Sequence, residues 1–160
     1  RAPQESDVSI ITYNNIASQL AGKGWKNVSD AIALDGMLKD LDSIVPEGPT
    51  NLQAGLEVIA ALKPTDIYLI TDGLPTDGSD GYKSLNPFAS CNSLWGGASS
   101  ISGKCRLKLF RHTVSSIKLP GVTTNVILLP IEGDPEASNE YWQWTSWTNG
   151  ILINPAASWP

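Results

Sequence analysis

Histidine and cysteine are scarce in this sequence, which has one His and two Cys among its 160 residues. A structural zinc site normally takes four such ligands, so the composition disfavours one. The single histidine, His112, is accompanied by no Gly-x-Ser-x-Gly turn that would carry a nucleophile for a Ser-His-Asp hydrolase. We therefore expect a protein that is not an enzyme.

The chain also lacks an excess of positive charge and any long apolar run. With 11 Lys and Arg against 16 Asp and Glu, its net charge is −5, which disfavours attraction to nucleic acid or anionic lipid. The longest apolar stretches, 67–70 and 126–131, are far shorter than the roughly 18 residues that cross a bilayer. We expect no nucleic-acid partner and no membrane insertion, which leaves proteins, small ligands and cations.

The two cysteines, Cys91 and Cys105, leave two alternatives open. As a disulfide, they would close a loop of about 15 residues and stabilise the fold by about 3 kcal/mol. As free thiols, they would indicate a reducing compartment. A disulfide would favour an exported location, because such bonds persist in oxidising surroundings.

What the sequence does contain is the balance of one compact domain over residues 1–160, with 41% hydrophobic and 17% charged residues. Apolar runs with little alternation predict strands covered on both faces, and helical periodicity predicts the segments between them. The predicted strands are 8–13, 67–71, 125–130 and 150–153, and the predicted helices are 29–44, 52–63, 104–117 and 136–148. Asp134 is the predicted N-cap of the last helix.

Strands that alternate with helices indicate an α/β fold with a doubly wound, mostly parallel sheet and helices on both of its faces. In such folds, ligands bind beyond the carboxyl ends of the strands. The long segment 73–103, rich in Gly, Ser, Asp and Pro, is typical of a functional loop.

Two segments carry a family resemblance. Residues 46–56 read Pro-Glu-Gly-Pro-Thr-Asn-Leu-Gln-Ala-Gly-Leu, and residues 67–73 read Ile-Tyr-Leu-Ile-Thr-Asp-Gly. They resemble the second and third metal-site loops of the von Willebrand factor A family, in which a Gly-x-Thr-Asn turn and a Leu-Thr-Asp-Gly strand end are separated by one helix. The likeness extends over most of the chain, since 7–13, 124–131 and 142–154 resemble the family's second strand, fifth strand, and last helix and strand.

The resemblance implies a Rossmann-like fold with a metal-ion-dependent adhesion site at the crest of the sheet. Thr50 would offer its hydroxyl and Asp72 its carboxylate to Mg²⁺ or Mn²⁺. These small, hard ions take octahedral oxygen ligands and keep positions that a partner's carboxylate can fill. The implied function is divalent-cation-dependent binding of a protein ligand, through an acidic side chain of that ligand.

One part of the family pattern is missing. The first metal-site loop, Asp-x-Ser-x-Ser, has no counterpart, because Asp7 and Ser9 are followed by Ile11, which cannot act as a ligand. We expect the first strand and first helix to lie upstream of residue 1, so that the domain is incomplete at its N-terminus. Unpaired strand edges then predict poor stability of residues 1–160 alone and weak or no metal binding.

Simpler interpretations of the same residues stay open. Thr50 and Gln53 fit a helix capping box, and Asp72 fits a hairpin turn. Asp77 and Asp80 miss the spacing of a calcium loop and fit a solvated loop.

An alternative function is metal-independent interaction or scaffolding on the same fold, through the 73–103 loop or an aromatic platform. Trp142, Trp144 and Trp147 crowd one predicted helix, where they either pack against the sheet or form that platform.

Overall fold

The computed structural model describes residues 6–78, 102–130 and 134–155. These form four helices and seven strands. In chain order they are β1 Asp7–Val8, β2 Ile11–Tyr13, β3 Ala17–Gln19, β4 Lys26–Asn27, α1 Ala31–Asp42, α2 Leu52–Leu62, β5 Asp66–Thr71, α3 Gly103–Ser116, β6 Thr123–Leu128, α4 Ala137–Trp147 and β7 Leu152–Ile153.

The centre of the fold is a three-stranded parallel sheet in the order β5-β6-β7. Asp66 lies opposite Thr123 and Thr71 opposite Leu128, so β5 and β6 are paired over their full length. Helix α3 lies in the connection from β5 to β6, and α4 in the connection from β6 to β7. The prediction of a mixed α/β fold with parallel strands and four helices is confirmed.

The predicted strand 8–13 is wrong as a member of this sheet. It is split into β1, which pairs antiparallel with β4, and β2, which pairs antiparallel with β3. Asn14 makes the reversal after β2 through two hydrogen bonds to Ile16. Its side-chain oxygen accepts from the Ile16 amide at 3.0 Å, and its backbone amide donates to the Ile16 carbonyl at 2.9 Å. Such local bonds are why Asn favours turns, and here they return the chain against itself.

Only one face of the parallel sheet is covered by described residues. Burial alternates along β5, where Ile67, Leu69 and Thr71 are buried while Tyr68 is 73% and Ile70 60% exposed. The core on the covered face takes residues from α2, α3 and α4. Its members are Leu52, Leu56, Ile67, Leu69, Leu74, Phe110, Val122, Val126, Leu128, Ala137, Tyr141 and Trp144. The expectation that strands are covered on both faces is wrong for these residues.

Helix α1 forms where it is predicted but is hardly packed. It starts at the N-cap Asp30, whose carboxylate accepts from the Ile32 and Ala33 amides, the bonds that a cap supplies. Met37 is its buried residue, and Leu38 and Leu41 on its apolar side are exposed.

None of the described helices is long and apolar enough to cross a membrane. The longest, α3, has 14 residues and spans about 21 Å at 1.5 Å per residue. A hydrocarbon core is about 30 Å thick, which α3 does not reach.

The start of α4 differs from its prediction. The N-cap residue is Glu136, without a side-chain capping bond, and the helix begins at Ala137. Asp134 is not the cap, because its carboxylate binds the Leu74 amide and Arg106 instead.

Candidate functional site

The candidate site lies at the carboxyl end of the parallel sheet, where two loops meet. The Thr50 amide donates to the Thr76 hydroxyl at 2.9 Å, and the Thr50 carbonyl accepts from the amides of Thr76 at 2.9 Å and Asp77 at 3.1 Å. Thr50 precedes α2, whereas Thr76 and Asp77 belong to the segment that follows Asp72. The two loops that carry Thr50 and Asp72 are therefore joined by two backbone–backbone bonds and by one bond to a side-chain hydroxyl.

A third loop meets them at the same place. The Asn51 amide donates to the Asn14 carbonyl at 2.7 Å, and its side-chain amide donates to the Asn15 carbonyl at 3.4 Å. Asn14 follows β2 directly, so this antiparallel hairpin supports the Thr50 loop from the side.

Thr50 is half-buried and is not the cap of α2. That role belongs to Asn51, whose side chain accepts from the Ala54 amide at 3.1 Å. Gln53 donates to Glu57 at 2.8 Å. The capping-box interpretation of Thr50 and Gln53 is therefore wrong. Among the described residues, no hydrogen bond engages the Thr50 hydroxyl, which leaves its oxygen for a ligand.

Asp72 is exposed and follows the last residue of β5. Beyond it the chain turns inward, because Leu74 and Pro75 are fully buried. The next residues, Thr76 and Asp77, bind Thr50. Within the described part of the chain no strand follows Asp72 to make a hairpin, so that interpretation of Asp72 finds no support.

The backbone immediately after Asp72 is held by side chains of other elements. The Leu74 amide donates to Asp134 Oδ2 at 2.7 Å, and Arg106 Nη2 lies 2.8 Å from the same oxygen. Arg106 also donates to the Leu74 carbonyl, through Nε at 3.2 Å and through Nη2. The Tyr141 hydroxyl donates to the Gly73 carbonyl at 2.9 Å.

The buried Tyr141 and the half-buried Tyr13 lie near this loop. Burial raises the pKa of Tyr13 and raises that of Tyr141 well above its usual value, although hydrogen bonds to Thr71 act in the opposite direction. The charge of Asp72 raises the pKa of Tyr13 further. Both hydroxyls stay protonated at neutral pH, so they act here as hydrogen-bond donors and not as acids or bases.

As a metal site, this arrangement is partial. Residues 6–78, 102–130 and 134–155 contain no group of three or more His, Cys, Asp or Glu side chains that could hold a metal ion. Thr50 and Asp72 supply one hydroxyl and one carboxylate on adjoining loops, which fit Mg²⁺ in kind. They do not fit it in number, because an octahedral ion needs six ligands.

Sequence reasoning missed Arg106 and assigned Asp134 to another role. For Asp134 a signal existed, because it follows β6 and the carboxyl ends of neighbouring parallel strands meet at one edge. For Arg106 the sequence carried no such signal. Arg106 lies within α3, and its long side chain reaches the Leu74 carbonyl from there. Asp77, interpreted as part of a solvated loop, is half-buried with its amide bound to Thr50.

The tryptophans of α4 were predicted either to pack against the sheet or to form an exposed platform, and they differ from one another in this respect. Trp144 is buried and lies edge-on to Phe110, with ring centroids 5.8 Å apart. Trp142 and Trp147 are exposed. The helix therefore packs through Trp144 and presents two indole rings to solvent.

Cys105, in the first turn of α3, forms a disulfide. This excludes the free-thiol alternative for Cys105. Cys91, the other cysteine of the chain, lies outside the described residues, as do Asp80 and most of the 73–103 loop.

No known protein-family model, curated protein or solved structure matches this chain.

Proposed function

We propose that this chain is part of a von Willebrand factor A-type module that binds a protein partner through a divalent cation. Thr50 and Asp72 are the ligands that the chain supplies. Mg²⁺ or Mn²⁺, when bound, offers an open coordination position to a carboxylate of the partner. The protein holds the ion and performs no catalysis.

The observation that carries this proposal is the joining of the Thr50 and Asp72 loops. Two backbone–backbone hydrogen bonds link Thr50 to Thr76 and Asp77, and the Thr50 amide also donates to the Thr76 hydroxyl. A half-buried hydroxyl and an exposed carboxylate thus stand on adjoining loops at the carboxyl end of the sheet, the position where ligands bind in α/β folds.

Two features of the parallel sheet, the unpaired edge of β5 and the exposed face, support an incomplete doubly wound fold. β5 pairs with β6 along one edge and with no described strand along the other. A parallel sheet is ordinarily covered on both faces, whereas Tyr68 and Ile70 are exposed here. A missing strand beside β5 and a missing helix over this face account for both features, and an upstream Asp-x-Ser-x-Ser loop would supply the ligands that the site lacks.

The proposed ligand roles are tested by paramagnetic broadening with Mn²⁺, which detects weak binding in NMR spectra. We expect Mn²⁺ to broaden the amide signals of Thr50, Asn51 and Asp72 before those of the rest of the protein. Asp72→Asn should abolish this selectivity, because it removes the anionic ligand. Asp66→Asn is the matched control, since Asp66 is another exposed acid, at the opposite end of β5.

Uniform broadening in the unmodified protein, or equal effects of the two substitutions, would contradict the assignment of Thr50 and Asp72. By calorimetry we expect no tight Mg²⁺ binding by the 160-residue chain, and sub-micromolar affinity would refute the view that the site is partial.

A second candidate is metal-independent interaction on the same fold. The exposed indoles of Trp142 and Trp147 favour it, because solvent-facing Trp side chains are frequent anchors of protein interfaces. Adding EDTA to a partner-binding assay separates the two candidates. Binding that persists in EDTA would require the metal-independent interaction. In either case, the disulfide at Cys105 supports an oxidising location for this protein.

A further inference from the structure

Helix α3 carries a concentration of positive charge in an otherwise acidic protein. The segment 103–118 holds five of the chain's 11 Lys and Arg residues and no Asp or Glu, whereas the net charge of the whole chain is −5. One of the five, Arg106, binds the Leu74 carbonyl and Asp134 and so belongs to the interior of the fold. Three of the other four lie on α3 itself.

These three residues form one row along the helix. Lys104, Lys108 and Arg111 are spaced i, i+4 and i+7, which places them on the same face of α3. We name this row the basic stripe. All three residues are exposed, and the stripe runs along two helical turns, about 10 Å at 1.5 Å per residue. The stripe is therefore a continuous, solvent-facing line of positive charge.

The stability of the helix does not explain the stripe. Lys104 and Lys108 are like charges four residues apart, and such pairs repel each other. The first turn of α3 contains no acidic residue, so Lys104 stands at the end of the helix where the macrodipole is positive. Among the described residues, no carboxylate forms an ion pair with Lys104 or Lys108. An anionic partner would relieve both of these unfavourable arrangements.

Helix α4 adds an aromatic side chain beside the stripe. Arg111 binds Glu140 through Nε at 2.8 Å and Nη2 at 2.7 Å, yet 58% of its side chain is exposed. Trp147 lies seven residues after Glu140, so it is on the side of α4 that Arg111 contacts, and it is 73% exposed. Arg and Trp are among the residues that contribute most to the binding energy of protein interfaces.

We infer that the basic stripe and Trp147 form a docking surface for an acidic, amphipathic segment of a protein partner. Carboxylates of that segment would pair with Lys104 and Lys108, and an apolar side chain would pack on Trp147. The inference rests on the metal-independent candidate function and gives it a partner chemistry.

Two observations favour a protein segment over nucleic acid or anionic lipid. A net charge of −5 repels an extended polyanion at long range, whereas a short acidic segment meets only the local charge. Three charges within about 10 Å also match carboxylates spaced i, i+4 and i+7 on a partner helix.

The probe is a synthetic helical peptide with Glu at i, i+4 and i+7 and a row of Leu beside them, and the same peptide with Gln at those positions is its control. Binding is measured by fluorescence anisotropy in EDTA. We expect the Glu peptide to bind and the Gln peptide to bind about ten-fold more weakly or not at all. Raising the ionic strength to about 1 M, where the screening length is about 3 Å, should weaken binding of the Glu peptide.

Charge reversal on the stripe tests the roles of the two lysines. Lys104→Glu combined with Lys108→Glu should weaken binding of the Glu peptide by about ten-fold or more, because like charges then face each other. This variant should not melt earlier, since it removes the repulsion and places an acid in the first turn. Lys23→Glu combined with Lys63→Glu is the matched control, because it changes the net charge equally at exposed positions elsewhere.

Tryptophan substitutions test the aromatic part of the surface. Trp147→Ala should weaken binding of the Glu peptide by about ten-fold, as for a residue at the centre of an interface. Trp142→Ala is the matched control, because Trp142 is also exposed but lies two residues after Glu140, on another side of α4. Equal weakening by the two substitutions would overturn the role of Trp147.

Three results would overturn the inference as a whole. They are equal binding of the Glu and Gln peptides, equal weakening by the two double lysine variants, and tighter binding of a single-stranded oligonucleotide or of phosphatidylserine vesicles than of the Glu peptide. Because every measurement is made in EDTA, these results leave the cation-dependent function untouched. Conversely, absence of selective Mn²⁺ broadening would contradict that function and leave peptide binding unaffected.

Discussion

Gly150 offers the sharpest test of the packing between β6 and β7. A Cβ atom there would lie 2.5 Å from the carbonyl carbon of Thr124, closer still to its oxygen, and 3.2 Å from the Asn125 amide nitrogen. These are backbone atoms of β6, so no side chain can move aside to relieve the contact. The Gly150 amide also donates to the Thr145 carbonyl at 2.8 Å, which fixes Gly150 on its other side.

Gly150→Ala should therefore reach the upper end of overpacking costs, about 3 kcal/mol. For a chain of this size, such a loss lowers the melting temperature by about 6–12 °C. The assay is thermal unfolding followed by circular dichroism and by tryptophan fluorescence, because Trp144 lies in the core beside this contact region.

Gly36→Ala is the matched control for this substitution. Gly36 lies within α1 and a Cβ atom there meets nothing within 4 Å, so alanine should stabilise the helix by about 1 kcal/mol. If Gly150→Ala had the same melting temperature as the unmodified protein, the close approach of Gly150 to β6 would be refuted.

Two further predictions follow from the titratable groups. Tyr13 and Tyr141 have pKa values raised by burial, so they keep their protons in the folded protein while the unfolded chain releases them near pH 10. The unfolded state is then favoured as pH rises above about 10, and the urea midpoint should fall there; an unchanged midpoint would contradict the burial of both hydroxyls. Arg111→Ala leaves the buried carboxylate of Glu140 without its bidentate partner and should lower the melting temperature. The exposed ion pair between Lys39 and Asp35 is the reference. If Lys39→Ala lowered the melting temperature as much as Arg111→Ala, the two ion pairs would not differ in burial as described.

Periodicity predicted the helices and the central strands well, because their apolar residues make the core. Helices α2, α3 and α4 place apolar residues in the core, whereas burial along β5 and β6 alternates although coverage of both faces is predicted. It failed at residues 8–13, where an apolar run was assigned to the sheet although Asn14 directs the chain into a hairpin. Composition alone does not distinguish a buried parallel strand from the arm of a short hairpin.

The meeting of the Thr50 and Asp72 loops was predictable from the sequence, but the side chains that hold these loops were not. The motifs around Thr50 and Asp72 indicated loops at one edge, and two backbone–backbone bonds and one bond to the Thr76 hydroxyl join these loops in the structure. The bond between Asp134 and Leu74 spans 60 residues of sequence, and Arg106 reaches Leu74 over 32. Contacts at that separation leave no local pattern, since tertiary packing alone creates them.

The face of the parallel sheet that no described residue covers has a practical consequence for handling the protein. Ile70 lies opposite Ile127, and Ile127 opposite Ile153, so three isoleucines form a row across the strands. Hydrophobic dyes such as anilinonaphthalene sulfonate bind apolar surface of this kind, and they will fluoresce with the folded protein before any heating. Dye-based melting curves will therefore begin from a high baseline, and intrinsic signals are the better reporters of its unfolding.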